Sequence, residues 1–275
     1  MRKSILLCLA LIFLVRGQTG FVGTQFEKGA INYSERKISA VGIGFVPENV
    51  INAGQARRAA LRIAKQDALR LLIEIVNGVV VTSETTMTGA MLDDVIKSRV
   101  EGAVRGAVQV GEPKYLSDTS IEVTYEVPMS GITEIILPSS GWEAVPSNEG
   151  EIAMESLPPP KPGMITGLII DTKGLGIKPA MSPQILDQNG GIIYGIGNFS
   201  REYAVQYGVV GYSKDLNQAM EDLRVVGNPL VVKGVGVAGT HQTDVIISNQ
   251  DVFKVNNAES SAQILKNCKV MFILD

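Results

Sequence analysis

The sequence predicts an α+β protein built from two small domains that are joined by a proline-rich linker. The chain has 275 residues, which corresponds to about two domains of roughly 150 residues each. Segments with strand alternation and segments with helical spacing follow one another along it. Residues 138–163 are rich in Ser, Gly, Glu and Pro, and they include Pro158-Pro159-Pro160. Because serial prolines favour an extended spacer, we expect domains at 26–137 and 164–275 that are held apart.

Composition limits the function. Hydrophobic residues make up 45% of the chain and charged residues 19%, which is enough apolar material for a folded core. The formal net charge is −3. Nucleic-acid binding by charge needs a basic surface, so we expect no DNA or other nucleic acid as a partner. One His and two Cys leave few catalytic groups or metal ligands.

The first seventeen residues have the pattern of a secretory signal. A basic start, Met1-Arg2-Lys3, precedes the apolar run Ser4–Val15, and Gly17 follows as a small residue at the predicted cleavage site. The run is too short to span a bilayer. We therefore expect an exported protein that is periplasmic or associated with the cell envelope. Arg16, close to the cleavage site, motivates the alternative of an uncleaved anchor in the inner membrane.

The first domain alternates strands and helices. Residues 53–76 place Ala, Leu and Ile at helical spacing, whereas residues 120–127 alternate apolar and polar side chains as in a half-exposed strand. Asn77-Gly78 is expected to end the long helix in a left-handed conformation. The predicted elements are strand 38–45, helix 53–76, strand 79–86, helix 93–107, and a hairpin of strands 107–115 and 120–127.

The long helix carries a basic face. Arg57, Arg58, Arg62 and Lys65 occupy the positions opposite its apolar stripe. Charged helix faces are usually solvated, and Asp67 and Glu74 interrupt this one in sequence. The alternative is a contact surface for a membrane or for an anionic ligand. These four cations are our candidate interaction surface.

The second domain is also predicted to be α+β. Asn189-Gly190 lies between two short apolar runs, which is typical of a tight hairpin. The predicted elements are strand 164–171, the hairpin of 185–187 and 192–195, helix 215–225, strand 229–238, strand 245–248, helix 258–265 and strand 269–274.

No motif in the sequence predicts a catalytic, cofactor or metal site. The Gly-rich segments 171–176 and 234–239 lack the residues of a phosphate-binding loop. His241 lies in a polar turn without a recognisable nucleophile, and Cys268 precedes a buried strand. Acidic residues at 93–94 and 215–222 are typical of helix starts rather than of a calcium loop.

A family resemblance covers residues 37–131. Gly42 and Gly44, the Ala56–Ala68 stretch, Asn77-Gly78-Val79 and Ile121–Gly131 resemble Lpp-twenty type envelope lipoproteins and the N-terminal domain of the flagellar ring protein FlgT. The resemblance implies a dodecin-like sheet covered by two helices, and envelope or flagellar proteins as partners. The lipid-bearing Cys of that family is missing here. The C-terminal domain resembles a companion domain in secreted bacterial proteins.

These observations lead to one leading hypothesis and two alternatives. We expect a non-enzymatic, exported envelope protein that acts through protein–protein contacts in flagellar or cell-surface assembly, with exposed sheet edges and the basic face as contact surfaces. Self-association into a homo-oligomer is an open expectation. One alternative is a small-ligand carrier with a cleft lined by Ile185, Tyr194, Phe199 and Tyr203. The other is an exported hydrolase that uses His241.

Overall fold

The computed structural model describes residues 20–46, 52–137 and 163–275. These residues form seven helices and two sheets, which confirms the predicted α+β fold with two domains. The predicted signal segment and most of the proline-rich linker, residues 138–162, lie outside the described residues.

The elements of the first domain are β1 (Gly23–Phe26), β2 (Gly29–Asn32), β3 (Lys37–Gly44), α1 (Ala53–Asn77), α2 (Met87–Ala90), α3 (Asp94–Arg105), β4 (Val108–Tyr115), β5 (Ile121–Pro128) and α4 (Met129–Ile136). The elements of the second are β6 (Leu168–Asp171), β7 (Ile185–Leu186), β8 (Ile192–Tyr194), α5 (Arg201–Tyr207), β9 (Gly211–Ser213), α6 (Leu216–Met220), β10 (Leu230–Ala238), β11 (Asp244–Ile247), α7 (Asn249–Ala262) and β12 (Val270–Ile273).

The first sheet is antiparallel, with strand order β1-β2-β3-β5-β4, and α1 lies across one of its faces. The close approach depends on glycines in β3. A Cβ atom at Gly42 would lie 2.1 Å from the carbonyl oxygen of Ala64, and one at Gly44 would lie 2.0 Å from that of Ala60. Only glycine at these two positions lets the helix backbone lie this close to the strand.

The ends of α1 follow from local hydrogen bonds. At the start, the side-chain oxygen of Asn52 accepts a hydrogen bond of 2.8 Å from the amide of Gly54. At the other end Gly78 has φ −81°, so the predicted left-handed termination is wrong. The Gly78 amide instead donates to the carbonyl of Ile75. The main contacts of α3 are with α1 and α4.

The strand predicted over residues 79–86 is also wrong. A single bridge joins Val80 and Thr86, and the chain between them turns so that the Val81 amide donates to the Thr85 carbonyl at 2.9 Å. The strand was expected because β-branched residues favour buried strands. Val79 and Val81 are indeed buried. Their burial comes from a tight turn that inserts into the core.

The second sheet has seven strands in the order β8-β7-β11-β10-β6-β12-β9. One half of the sheet is parallel, and it consists of β10, β6, β12 and β9. At the other edge, β7 and β8 form the predicted antiparallel hairpin. One face of the sheet carries the main core, and α6 covers a smaller cluster on the other face. α6 is shorter than the predicted helix 215–225, and α7 is longer than the predicted helix 258–265.

The two domains are docked together, so the expectation that they are held apart is wrong. One continuous hydrophobic core contains buried residues from both sheets. The rings of Tyr33 and Tyr212, one from each domain, meet edge to face with centroids 5.9 Å apart. The turn after α1 also pairs with the second domain, since the amide of Met181 donates to the carbonyl of Val80 at 3.0 Å.

Candidate functional site: the basic face of α1

The four predicted cations all lie in the N-terminal half of α1. Arg57, Arg58, Arg62 and Lys65 are exposed. Within residues 20–46, 52–137 and 163–275, no carboxylate lies within ion-pair distance of any of them, although seven other ion pairs are present there. Like charges at this spacing on a helix repel one another. The face therefore carries positive charge that the described residues do not neutralise.

The two acids that interrupt this face in sequence are occupied elsewhere. Arg70 pairs with Asp67 at 2.9 Å and with Glu74 at 2.6 Å. Asp67 also accepts a hydrogen bond of 3.1 Å from the amide of Ile43. This hydrogen bond and the Arg70 cation outweigh partial burial and lower the pKa of the Asp67 carboxyl. The basic face is thus continuous in space although it is interrupted in sequence.

Two of the four cations are held by aromatic rings. The guanidinium carbon of Arg57 lies 4.5 Å from the ring centroid of Tyr115, and the Nζ of Lys65 lies 5.6 Å from that of Tyr125. Both distances fit cation–π contacts. The rings belong to β4 and β5, so these two charges are drawn sideways from α1 toward the edge of the sheet. Their positions are fixed more firmly than those of unsupported surface cations.

The neighbouring edge strand β4 is exposed but interrupted. It pairs with β5 at Val108–Val110 and again at Lys114 and Tyr115, with a shift of register between the two segments. Gly111 has φ +72° and Pro113 has no amide hydrogen to donate. A bulge and a proline are typical ways to prevent uncontrolled strand addition at a sheet edge. β4 is therefore an exposed sheet edge of which only the Val108–Val110 segment is a regular ladder.

Exposed aromatic side chains lie at this end of the first sheet. Tyr115 is opposite Ile121 on β5, which in turn is opposite Gly44, the last residue of β3. Phe45 follows directly, and its side chain is 61% exposed. Aromatic side chains next to arginine are typical of contact surfaces on proteins. This end of the first sheet thus combines positive charge with exposed aromatic area.

The predicted ligand cleft of the second domain is filled. Ile185, Tyr194, Phe199 and Tyr203 all belong to the hydrophobic core. Tyr194 has no exposed surface, and its hydroxyl donates to the Val209 carbonyl at 2.6 Å. The cleft is therefore absent from the described part of the chain, and these four residues give no support to a carrier function.

His241 lies where the two domains meet. Its backbone amide donates to the Ser83 carbonyl at 2.9 Å. Next to it, Thr240 donates to the carboxylate of Glu84 from its amide at 3.1 Å and from its hydroxyl at 2.8 Å. These hydrogen bonds lower the pKa of Glu84, and the nearby His241 contributes in the same direction. Among the described residues, no nucleophilic side chain forms a hydrogen bond with the imidazole. The turn acts here as a contact between the domains.

The remaining candidates have structural surroundings. In the Gly-rich loop after β6, the Gly174 amide donates to the Asp275 carboxylate at 2.8 Å, so a side chain of the chain itself takes the place of an anion. Cys268 is buried, and burial raises the pKa of its thiol to about 11. The described residues contain no group of acidic, His or Cys side chains arranged to hold a metal ion. None of the helices they form is long and apolar enough to cross a membrane.

Sequence reasoning missed one polar centre, at the C-terminal end of α5. The last carbonyls of this helix accept hydrogen bonds from two arginines of different domains. Arg36 donates to the carbonyls of Val205, at 2.9 Å, and Gln206. Arg224 donates to the carbonyls of Tyr207, Gly208 and Cys268. The sequence offers no signal for this arrangement, because neither arginine belongs to a motif and the helix they cap was not predicted.

Residues 167–275 match the family model of the second domain of Treponema pallidum Tp0624. No curated protein matches the chain. The match corrects the resemblance described above, because the family it identifies is neither the Lpp-twenty lipoproteins nor FlgT, and it covers the second domain instead of residues 37–131. The flagellar expectation rested on that resemblance and loses its support. The second domain is similar to this domain of Tp0624, and the matched range is less than half of the chain.

Proposed function

We propose that this protein is a non-enzymatic, exported envelope protein that works by contacting other proteins through the basic face of α1 and the adjoining strand β4. One observation carries the proposal: four exposed cations share one helix face without a carboxylate partner in the described part of the chain. Solvated helix faces usually mix both signs, as the Arg70 cluster on the same helix does. Unneutralised charge of one sign favours a partner of the opposite sign.

Two further observations support it. The half-exposed ring of Tyr115 adjoins the charged face, so that a partner would bury apolar area as well as pair charges. The pattern of Met1–Gly17 favours export, and the match of the second domain to a domain of Treponema pallidum Tp0624 is compatible with a bacterial protein. Self-association of the chain through the same face stays a prediction.

The test is site-specific photo-crosslinking in the native envelope, combined with the intact mass of the recovered protein. A photoreactive residue replaces Gln66, which is exposed beside Lys65, and a control carries it at Ser98 on α3. We expect a discrete protein adduct from position 66 that is lost when Arg58 and Arg62 are both changed to Glu. The recovered chain should lack residues 1–17.

Equal adducts from both positions, or an adduct that survives the charge reversal, would contradict a contact through this face. Recovery of the chain in the inner membrane with Met1–Gly17 still attached would contradict cleavage of the export signal. It would show instead that this segment anchors the protein. The substituted side chains are all exposed, so we expect the variants to fold. Either result can therefore be interpreted without invoking misfolding.

A further inference from the structure

The basic face borders a shallow seam between α1 and β4. α1 packs on β3 and β5 and leaves β4 uncovered. Gln109 and Tyr115 lie opposite Tyr125 and Ile121, whose side chains are buried beneath α1, so they project from the same face of the sheet as the helix. We call Arg57, Lys65, Gln109, Tyr115 and Tyr125 the α1–β4 seam.

The charges along the seam have a regular spacing. Arg57 and Lys65 are eight residues apart on a helix, which places their backbones about 12 Å apart. Arg58 and Arg62, one turn apart on the outer side of α1, are separated by about 6 Å. An extended peptide advances about 6.7 Å for every two residues and presents those side chains on one face. Acidic residues at alternate positions of an extended segment therefore match both intervals.

We propose that the α1–β4 seam binds an extended acidic segment of a partner protein, with carboxylates at alternate positions facing the four cations. This inference rests on the proposed function, because it names the chemistry of the partner for the same surface. Arg57 and Lys65 pair with carboxylates four residues apart, and Arg58 and Arg62 with carboxylates two apart. Tyr115 contacts the side chains between them.

The segment binds through its side chains rather than as an added strand. A new strand along β4 would need free backbone groups over its whole length, but the bulge at Gly111 and the proline at position 113 interrupt them. The side chain of Gln109 belongs to the seam, and its Oε1 accepts a weak hydrogen bond of 3.5 Å from the Tyr125 hydroxyl. Its Nε2 already donates one hydrogen bond of 3.2 Å to the Gly111 carbonyl, which leaves one amide hydrogen for a carboxylate or a peptide carbonyl.

A protein segment fits the seam better than a membrane surface does. A helix that binds a bilayer buries its apolar face in lipid, whereas the apolar stripe of α1 is buried against the sheet. Arg57 and Lys65 lie against the rings of Tyr115 and Tyr125 in the seam. Their charges therefore do not point outward toward a flat bilayer surface. The net charge of −3 also opposes approach to an extended anionic surface, but a short peptide meets only the local positive charge.

The experiment measures binding of a fluorescein-labelled peptide of alternating Glu and Thr to the full chain by fluorescence anisotropy at low salt. A block peptide of the same composition, with all Glu residues preceding all Thr residues, serves as the comparison probe. We expect the alternating peptide to bind more tightly and its affinity to fall as salt is added.

Two double variants of equal charge locate the site. Arg57→Gln with Lys65→Gln should weaken binding of the alternating peptide about tenfold, since two ion pairs are lost. Lys97→Gln with Arg99→Gln removes two exposed cations from α3, which have no ion-pair partner among the described residues, and should change the affinity less than twofold. Circular dichroism checks that both variants fold.

Four outcomes would overturn the inference. Equal weakening by both double variants would mean attraction by overall charge. Equal affinity for the two peptides would exclude readout of alternate carboxylates. Binding to phosphatidylglycerol vesicles, with no binding of either peptide, would make the seam a membrane contact. An adduct at position 66 together with no peptide binding would retain the proposed function and reject the acidic segment.

Discussion

Arg36 connects the two domains through a single side chain. It lies in the turn between β2 and β3, with its backbone in the left-handed region at φ 55°, and its guanidinium reaches the C-terminal end of α5 in the other domain. A helix leaves its last four carbonyls without intrahelical partners, and positive charge is favourable beside them. Burial, together with the nearby cation Arg224, lowers the pKa of Arg36 to about 10. Burying Arg36 near Arg224 is electrostatically unfavourable. The hydrogen bonds from Arg36 to the carbonyls of α5 offset this unfavourable free energy.

Changing Arg36 to Met should therefore destabilise the protein. Met keeps much of the side-chain volume but leaves the carbonyls of Val205 and Gln206 without their donor, which we expect to cost about 2–3 kcal/mol in the free energy of unfolding measured with urea. The neighbouring variant Lys37→Met is the control, because Lys37 forms only exposed ion pairs and should change stability by less than about 0.5 kcal/mol. Equal effects of the two substitutions would show that capping of α5 contributes nothing.

At the scale of elements, the contact between α1 and β3 depends on the absence of side chains. Gly42→Ala places a methyl group 2.1 Å from the Ala64 carbonyl oxygen, so the helix must move away from the strand. We expect a loss of about 3 kcal/mol in the free energy of unfolding. Gly102→Ala on α3 is the matched control: its new methyl group meets nothing within 4 Å, and alanine should stabilise the helix by about 1 kcal/mol. A stabilising effect at both positions would contradict the close approach of α1.

The elements that could be predicted from sequence have either a long periodic pattern or a short apolar run beside a turn signal, as in the β7–β8 hairpin. α1 and the β4–β5 hairpin were found because their apolar spacing extends over many residues. β1, β2, α5 and β9 have between three and seven residues, which is too short for a periodic signal, and they form because they dock on a larger core. The turn at 79–86 has the sequence of a strand, because burial and strand propensity select the same residue types.

The candidate site was predictable in part. The four cations of α1 could be identified from helical spacing, but the sequence also places Asp67 and Glu74 beside them. Only the fold shows that Arg70 and the amide of Ile43 engage these acids, because Ile43 comes from a different strand. The contacts of Arg57 and Lys65 with tyrosines likewise depend on how α1 lies across the sheet. Residue types predict a charged face, whereas its neutralisation depends on tertiary contacts.

At the scale of the whole molecule, the shared core predicts that the domains unfold together. Buried residues of both sheets belong to one cluster, and the Glu84–Thr240 and Tyr33–Tyr212 contacts cross between the domains. We expect a single calorimetric transition with equal calorimetric and van't Hoff enthalpies. Two transitions, or a van't Hoff enthalpy well below the calorimetric value, would mean that the domains unfold independently in spite of these contacts.

Buried acids of both domains should make this joint stability sensitive to alkaline pH. Burial raises the pKa of Tyr33 to about 12 and that of the Cys268 thiol to about 11, and it raises the pKa values of Tyr194 and Tyr212 well above their usual range. A raised pKa in the folded state contributes stability that is complete below the pKa of the unfolded chain and is lost as pH rises toward the folded value. Arg36 acts in the opposite direction, because its lowered pKa favours folding as pH rises above about 10.

The three tyrosines outweigh this opposing contribution. Together with the Cys268 thiol, they should lower the free energy of unfolding by about 4–5 kcal/mol between pH 9 and pH 11, while Tyr33, Tyr194 and Tyr212 add to the ultraviolet absorbance of tyrosinate only as the chain unfolds. Tyr33→Phe should reduce that fall by about 1 kcal/mol, because Phe keeps the ring contact with Tyr212 but removes one titrating group. If the tyrosines instead titrate in the folded protein near pH 10, then the core at the boundary between the domains is open to water, and the docked arrangement is not the state in solution.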